Sequence, residues 1–167
     1  KSTFDKDSLI SIDLSSNKIE KLRTKSNTSI KTFNASKNKF KRIPRSLRKL
    51  HHLKFLDLSN NSIKKIPRFI SRMDSLTELK LNNCQLKLNK RNIRRLKKVK
   101  QLQLAGNKLH YLPVYFANLS QLKNLNLANN NLESLPDSFE QLRNLEHLIF
   151  YKNDFKEIPL SIFKLHK

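Results

Sequence analysis

LKNLNLANNNLESLPDSFEQLRN, residues 122–144, is the stretch on which the fold turns. Leu125 and Leu127 alternate with polar residues, so this run reads as a short β-strand with its leucines on one face. Leu135-Pro136 then marks a change of direction, since proline's fixed φ suits the start of a helix. Phe139 and Leu142, three residues apart, form a single apolar stripe of a short outer helix. The same template recurs along the whole chain. LISIDLSSNKI, IKTFNASKNKF, LKFLDLSNNSI, LTELKLNNCQL, VKQLQLAGNKL, LKNLNLANNNL and LEHLIFYKNDF begin at residues 9, 30, 53, 76, 99, 122 and 145. Apolar residues occupy repeat positions 1, 4, 6, 11, 14, 18 and 21 in 46 of 49 instances. One such unit cannot bury its apolar face alone, so successive units must complete each other's core.

Position 9 is Asn17, Asn38, Asn61, Asn107, Asn130 and Asn153, with Cys84 in the fourth repeat. An amide at the turn after each strand can satisfy backbone groups of its own and the adjoining repeat, which buried polar atoms require. With the position-14/15 pairs Ile43-Pro44, Ile66-Pro67, Leu112-Pro113, Leu135-Pro136 and Ile158-Pro159, these residues resemble the leucine-rich repeat family in its 23-residue class. That class is similar to the intracellular repeats of Ras-pathway scaffolds, of plant Ras-group relatives and of secreted bacterial effectors. The resemblance implies an α/β architecture: a right-handed solenoid of about seven repeats, with a concave parallel β-sheet and short convex helices. Residues 1–167 then form a single repeat domain, expected to be part of a longer protein. Two repeats depart from the pattern. RTKSNTS (23–29) replaces the proline and helical stripe of repeat one, which predicts an irregular loop. In repeat four Lys90 replaces the proline and Asn89 takes an apolar slot, which predicts a shifted or longer outer helix. Repeat seven stops on its outer helix, so Leu148, Phe150, Phe155 and Ile162 are expected to be half exposed.

Composition removes whole function classes. Glycine occurs once, as Gly106, so there is no phosphate-cradling or dinucleotide-binding glycine loop. One cysteine excludes an internal disulfide, and an intracellular setting follows as the expectation. No apolar run approaches the ~18 residues of a membrane span, and KSTFDKDS at the start lacks an apolar leader. Asp13 and Asp57 share position 5 of repeats one and three, two strands or ~10 Å apart, a separation compatible with an inverting hydrolase. The plainer reading is adopted, that they belong to a solvated polar face. His51 and His52, being adjacent, point apart and make no metal pair. Cys84 reads as a core substitute for the amide. No catalytic residue, metal site or cofactor is expected, and the chain is read as a non-enzyme.

Charge is the stronger functional signal. The chain carries +22, and residues 30–98 hold 21 basic against 3 acidic side chains. In KLNKRNIRRLKKVK (87–100), Ile93 and Leu96 should face inward, leaving Arg91, Arg94, Arg95, Lys97 and Lys98 as a basic outer ridge. Such a ridge suits docking to an acidic protein, an anionic membrane or nucleic acid. On the concave face, Lys31, Lys54, Lys100 and Lys123 align at position 2, while Phe55, His147, Ile149 and Tyr151 stand out from a polar background. Exposed apolar and aromatic side chains over a flat floor are interface anchors. The expected function is therefore a protein-interaction module, a scaffold or effector. It would bind a partner, one with an acidic surface, on the concave face with help from a basic flank. Two rival readings stay open: charge-driven binding of anionic lipid or nucleic acid by the ridge, and substrate recruitment for an enzymatic domain outside this segment.

Overall fold

Alternation of inward leucines with outward polar residues builds seven short strands, one per repeat. They are β1 Ser11–Asp13, β2 Thr32–Asn34, β3 Phe55–Asp57, β4 Glu78–Lys80, β5 Gln101–Gln103, β6 Asn124–Asn126 and β7 His147–Ile149. In the computed structural model, which describes residues 8–165, they form one parallel sheet in sequence order, β1 to β7. Residues 1–7, the stretch read above for an apolar leader, and the final His166 and Lys167 lie outside the described residues. Pairing is in strict repeat register. Ile12, Phe33, Leu56, Leu79, Leu102, Leu125 and Leu148 face one another in sequence order, all at position 4. The five central members are buried, whereas Ile12 and Leu148 on the outermost strands are half-buried. Phe150, Phe155 and Ile162 share that half-buried state, as the repeat arithmetic anticipates.

The position-9 amides tie neighbouring repeats together. Asn130 is buried; its Oδ1 accepts from the Asn107 and Leu109 amides, 3.0 Å each, and its Nδ2 donates to Leu104 O and Leu127 O. Asn38, Asn61, Asn107 and Asn153 repeat the arrangement. Each such side chain closes the turn after one strand and the turn of the repeat before it.

The residue just before each amide, position 8, takes a left-handed backbone in all seven repeats: Ser16, Lys37, Asn60, Asn83, Gly106, Asn129 and Lys152 have φ between 52° and 67°. This turn was not anticipated from the sequence, because only Gly106 and the three asparagines carry the residue types that favour it.

The outer layer consists of short helices, as the resemblance implies, most of them of the 3-10 kind. Five-residue 3-10 helices span Arg45–Lys49, Arg68–Arg72, Val114–Asn118, Asp137–Gln141 and Leu160–Lys164. Each is preceded by its proline in an extended conformation, as with Pro44 at φ −61°, ψ 127°, so the proline flanks the helix and does not open its first turn. The inward residues at positions 18 and 21 are three apart, which matches the period of a 3-10 helix. Repeat four, lacking the proline, forms the longer helix foreseen. Helix α1, Lys90–Ile93, runs on into a 3-10 turn over Arg94–Leu96. Asn89 does not fill an apolar slot; it caps α1, its Oδ1 accepting from the Asn92 amide at 3.1 Å. Leu88 is buried in its stead. Repeat one has no outer helix, and its loop touches the next repeat through an isolated parallel bridge between Asn27 and Leu50.

Candidate functional site

The concave surface is formed by positions 3 and 5 of each repeat and flanked by positions 2 and 7. Lys31, Lys54, Lys100 and Lys123 are exposed in a row along one side, as their spacing requires. Lys123 is not free, because its ammonium pairs with Glu146 at 2.8 Å. In the last strand His147 and Ile149 are exposed, and Tyr151 follows with 61% of its surface accessible. Phe55 does not stand with them. It is half-buried on β3, and Lys80, itself 3.3 Å from Glu78, lies 4.8 Å above its ring. The structure therefore brings His147, Ile149 and Tyr151 together at one end of the groove and leaves Phe55 four strands away under a lysine.

The position-5 residues are more than solvated background. The Ser15, Ser36, Ser59 and Ala128 amides donate to the side chains of Asp13, Asn34, Asp57 and Asn126, respectively, two residues earlier. These side-chain turns shape the strand exits. Asp13 also accepts from Asn34 Nδ2 at 3.0 Å. The hydrogen bonds from Ser15, with that from Asn34, hold its carboxyl below the usual carboxylate range. Asp13 and Asp57 each thus have a structural task on the sheet, with Asn34 registered between them.

The basic ridge is present but uneven. Ile93 and Leu96 are fully buried, while Arg91, Arg94, Lys97 and Lys98 are exposed. Arg95 differs from its expected outward pose: half-buried, it donates to Ile66 O of the preceding repeat. Lys98 is paired with Asp74. An aromatic also enters the ridge, which the local sequence does not reveal. Tyr115, from repeat five, lies beneath Lys90 at 4.4 Å and Arg94 at 5.8 Å. Its hydroxyl is held below the ordinary tyrosine value, chiefly by a hydrogen bond to Lys90 and then by that lysine's charge. A 23-residue periodicity of arginine, Arg45, Arg68 and Arg91 at position 16, is the signal in the sequence that marks the wider basic flank.

Cys84 lies fully buried in the amide ladder, donating to Leu58 O at 3.3 Å. Burial pushes its thiol up to about 11. Among the described residues no group of three or more His, Cys, Asp or Glu side chains could hold a metal ion, and no helix is long and apolar enough to cross a membrane.

A family model described as "Leucine rich repeat" matches residues 28–86 and 98–155. The chain belongs to the leucine-rich repeat family, whose domains are in general protein-interaction modules and typically non-enzymatic. Among solved structures, a leucine-rich repeat protein of Leptospira interrogans is similar at 28% identity and a TM-score of 0.76, over 95% of this chain and 47% of that one. Internalin C2 of Listeria monocytogenes matches at 24% identity and a TM-score of 0.79, over 95% of this chain and 68% of that one. The plant peptide hormone receptor RGFR1, solved in complex with RGF2, matches at 24% identity and a TM-score of 0.70, over 95% of this chain and 27% of the receptor. The last two likenesses concern the fold alone. The chain spans about half the length of the Leptospira protein. A search of curated sequences finds no match.

Proposed function

We propose that this chain is a non-enzymatic binding module, acting as a scaffold or effector in an intracellular setting, that holds a protein partner on its concave face. The observation that carries the reading is the exposure of Ile149 at 43% and Tyr151 at 61% at the end of a lysine row. Apolar and aromatic side chains left open beside cations suit a partner with an acidic rim and an apolar centre. The single, buried cysteine supports the intracellular setting. Tyr151→Ala should raise Kd at least ~30-fold through faster dissociation, as expected for an aromatic anchor worth ~2 kcal/mol. Lys100→Ala with Lys123→Ala should slow association and flatten its salt dependence, since rim charges act on encounter. Affinity capture at low and high salt, with wild type and Tyr151→Ala as parallel baits, supplies the partner. A partner retained equally by both concave variants overturns the reading.

A second reading, anion docking through the ridge, is favoured by the exposure of Arg91 and Lys97, neither of them in an ion pair among the described residues. Replacing Arg91, Arg94, Arg95, Lys97 and Lys98 by Glu should shorten retention on heparin and weaken binding to acidic vesicles without loss of fold. Equal retention of variant and wild type removes it.

A further inference from the structure

Six of the chain's ten arginines, Arg42, Arg45, Arg48, Arg68, Arg72 and Arg95, line one recess of about 810 Å³ on the outer flank of repeats one to four. The repeat itself assembles it. Arg45 and Arg68 share position 16, immediately after Pro44 and Pro67, while Arg72 and Arg95 share position 20. The prolines and the buried Ile43 and Ile66 form its floor, so the cations stand on rigid ground. Glu20 is the one carboxylate on the wall, and none of the six arginines is in an ion pair among the described residues. Arg95 spends a guanidinium N–H on Ile66 O, which holds its head at the rim.

Guanidinium groups gathered around a single carboxylate repel one another, and each presents a planar fork of donors that fits two phosphate oxygens at once. A recess of this volume falls within the range of small-molecule sites. The geometry points to a binding site for a compact, soluble anion carrying several phosphate groups. Its shape separates this ligand from larger polyanions. A flat bilayer would meet the exposed ridge cations Arg91 and Lys97 before it reached a recess. An extended nucleic-acid strand would need the cation row to continue, whereas position 16 turns to Val114 and then Asp137 beyond repeat four. The recess lies on the convex side and is independent of the concave-face reading.

Inositol hexakisphosphate and tripolyphosphate serve as probes in titration calorimetry and thermal-shift measurements on the whole chain. Wild type should bind them at least ~100-fold tighter than inorganic phosphate, with a matching rise in melting temperature. Arg45→Ala with Arg68→Ala should weaken the probes at least ~10-fold, whereas Arg143→Ala with Lys156→Ala, the same charge removed from exposed positions outside the recess, should change Kd less than ~2-fold. Circular dichroism checks that both variants remain folded, as exposed arginines predict. Equal losses in the two variants overturn the proposal, because they mean diffuse charge and no site. So does a wild type that binds vesicles containing phosphatidylinositol bisphosphate, or a single-stranded oligonucleotide, more tightly than either soluble probe.

Discussion

Cys84 occupies a slot built for an amide. From Asn38 onward each Asn Oδ1 in the ladder accepts from the preceding repeat, as Asn107 does from the Cys84 and Leu86 amides at 3.1 and 3.0 Å. At Cys84 the Asn61 and Ile63 amides face a sulfur instead, a weak acceptor. Cys84→Asn, nearly equal in volume, should restore oxygen acceptance and stabilise the fold by about 1 kcal/mol, read from urea denaturation. The thiol makes a second prediction. Its pKa in the folded state is about 11, raised from 9.0, so the unfolded chain loses this proton first as pH rises. The associated stability is complete below pH 9 and is lost between about 9 and 11. Cys84→Ala should show a shallower decline across that window, and native wild type should react far more slowly with a thiol reagent at neutral pH than denatured wild type. A fast native reaction would mean that repeat four stands open.

At the scale of elements, α1 exists because Asn89 caps it where a proline is missing. Asn89→Ala should cost about 1 kcal/mol, whereas Asn89→Asp should leave stability nearly unchanged; denaturation midpoints distinguish the two. The strands carry a comparable liability at position 8, where Lys37 and Lys152 adopt φ of 52° and 53°. Asn tolerates that conformation better, so Lys37→Asn and Lys152→Asn should each raise stability by a few tenths to about 1 kcal/mol. These two elements mark what the sequence could and could not yield. Strand number, register and the inward leucines follow from a period repeated seven times, and the irregular repeats one and four were marked by their missing prolines. The left-handed turn was hidden because Ser16, Lys37 and Lys152 give no residue-type signal, its cause being the tertiary ladder beside it. For the candidate surfaces, spacing implied the exposure of the lysine row and Tyr151 that the structure shows. It could not foresee Lys80 covering Phe55, Arg95 folding back to Ile66, or Tyr115 reaching the ridge, since each depends on side chains a full repeat or more apart.

Over the whole molecule the charge of +22 is concentrated in repeats two to four, where, among the described residues, Lys80 and Lys98 pair with carboxylates. Mutual repulsion of the remaining cations should be relieved by screening. The melting temperature should therefore climb with added sodium chloride, and a fall would mean that the cations are matched internally. Stability in a stacked array is a sum over units and their junctions, and the junctions here are not alike. Between repeats three and four the amide bolt is a thiol, while on either side it is intact. Pulled from its two ends, as in a single-molecule force experiment, such a chain does not tear evenly: rupture begins where the fastening is slackest. A step near Cys84 should then divide the trace into a block of three repeats and a block of four, and Cys84→Asn should merge them.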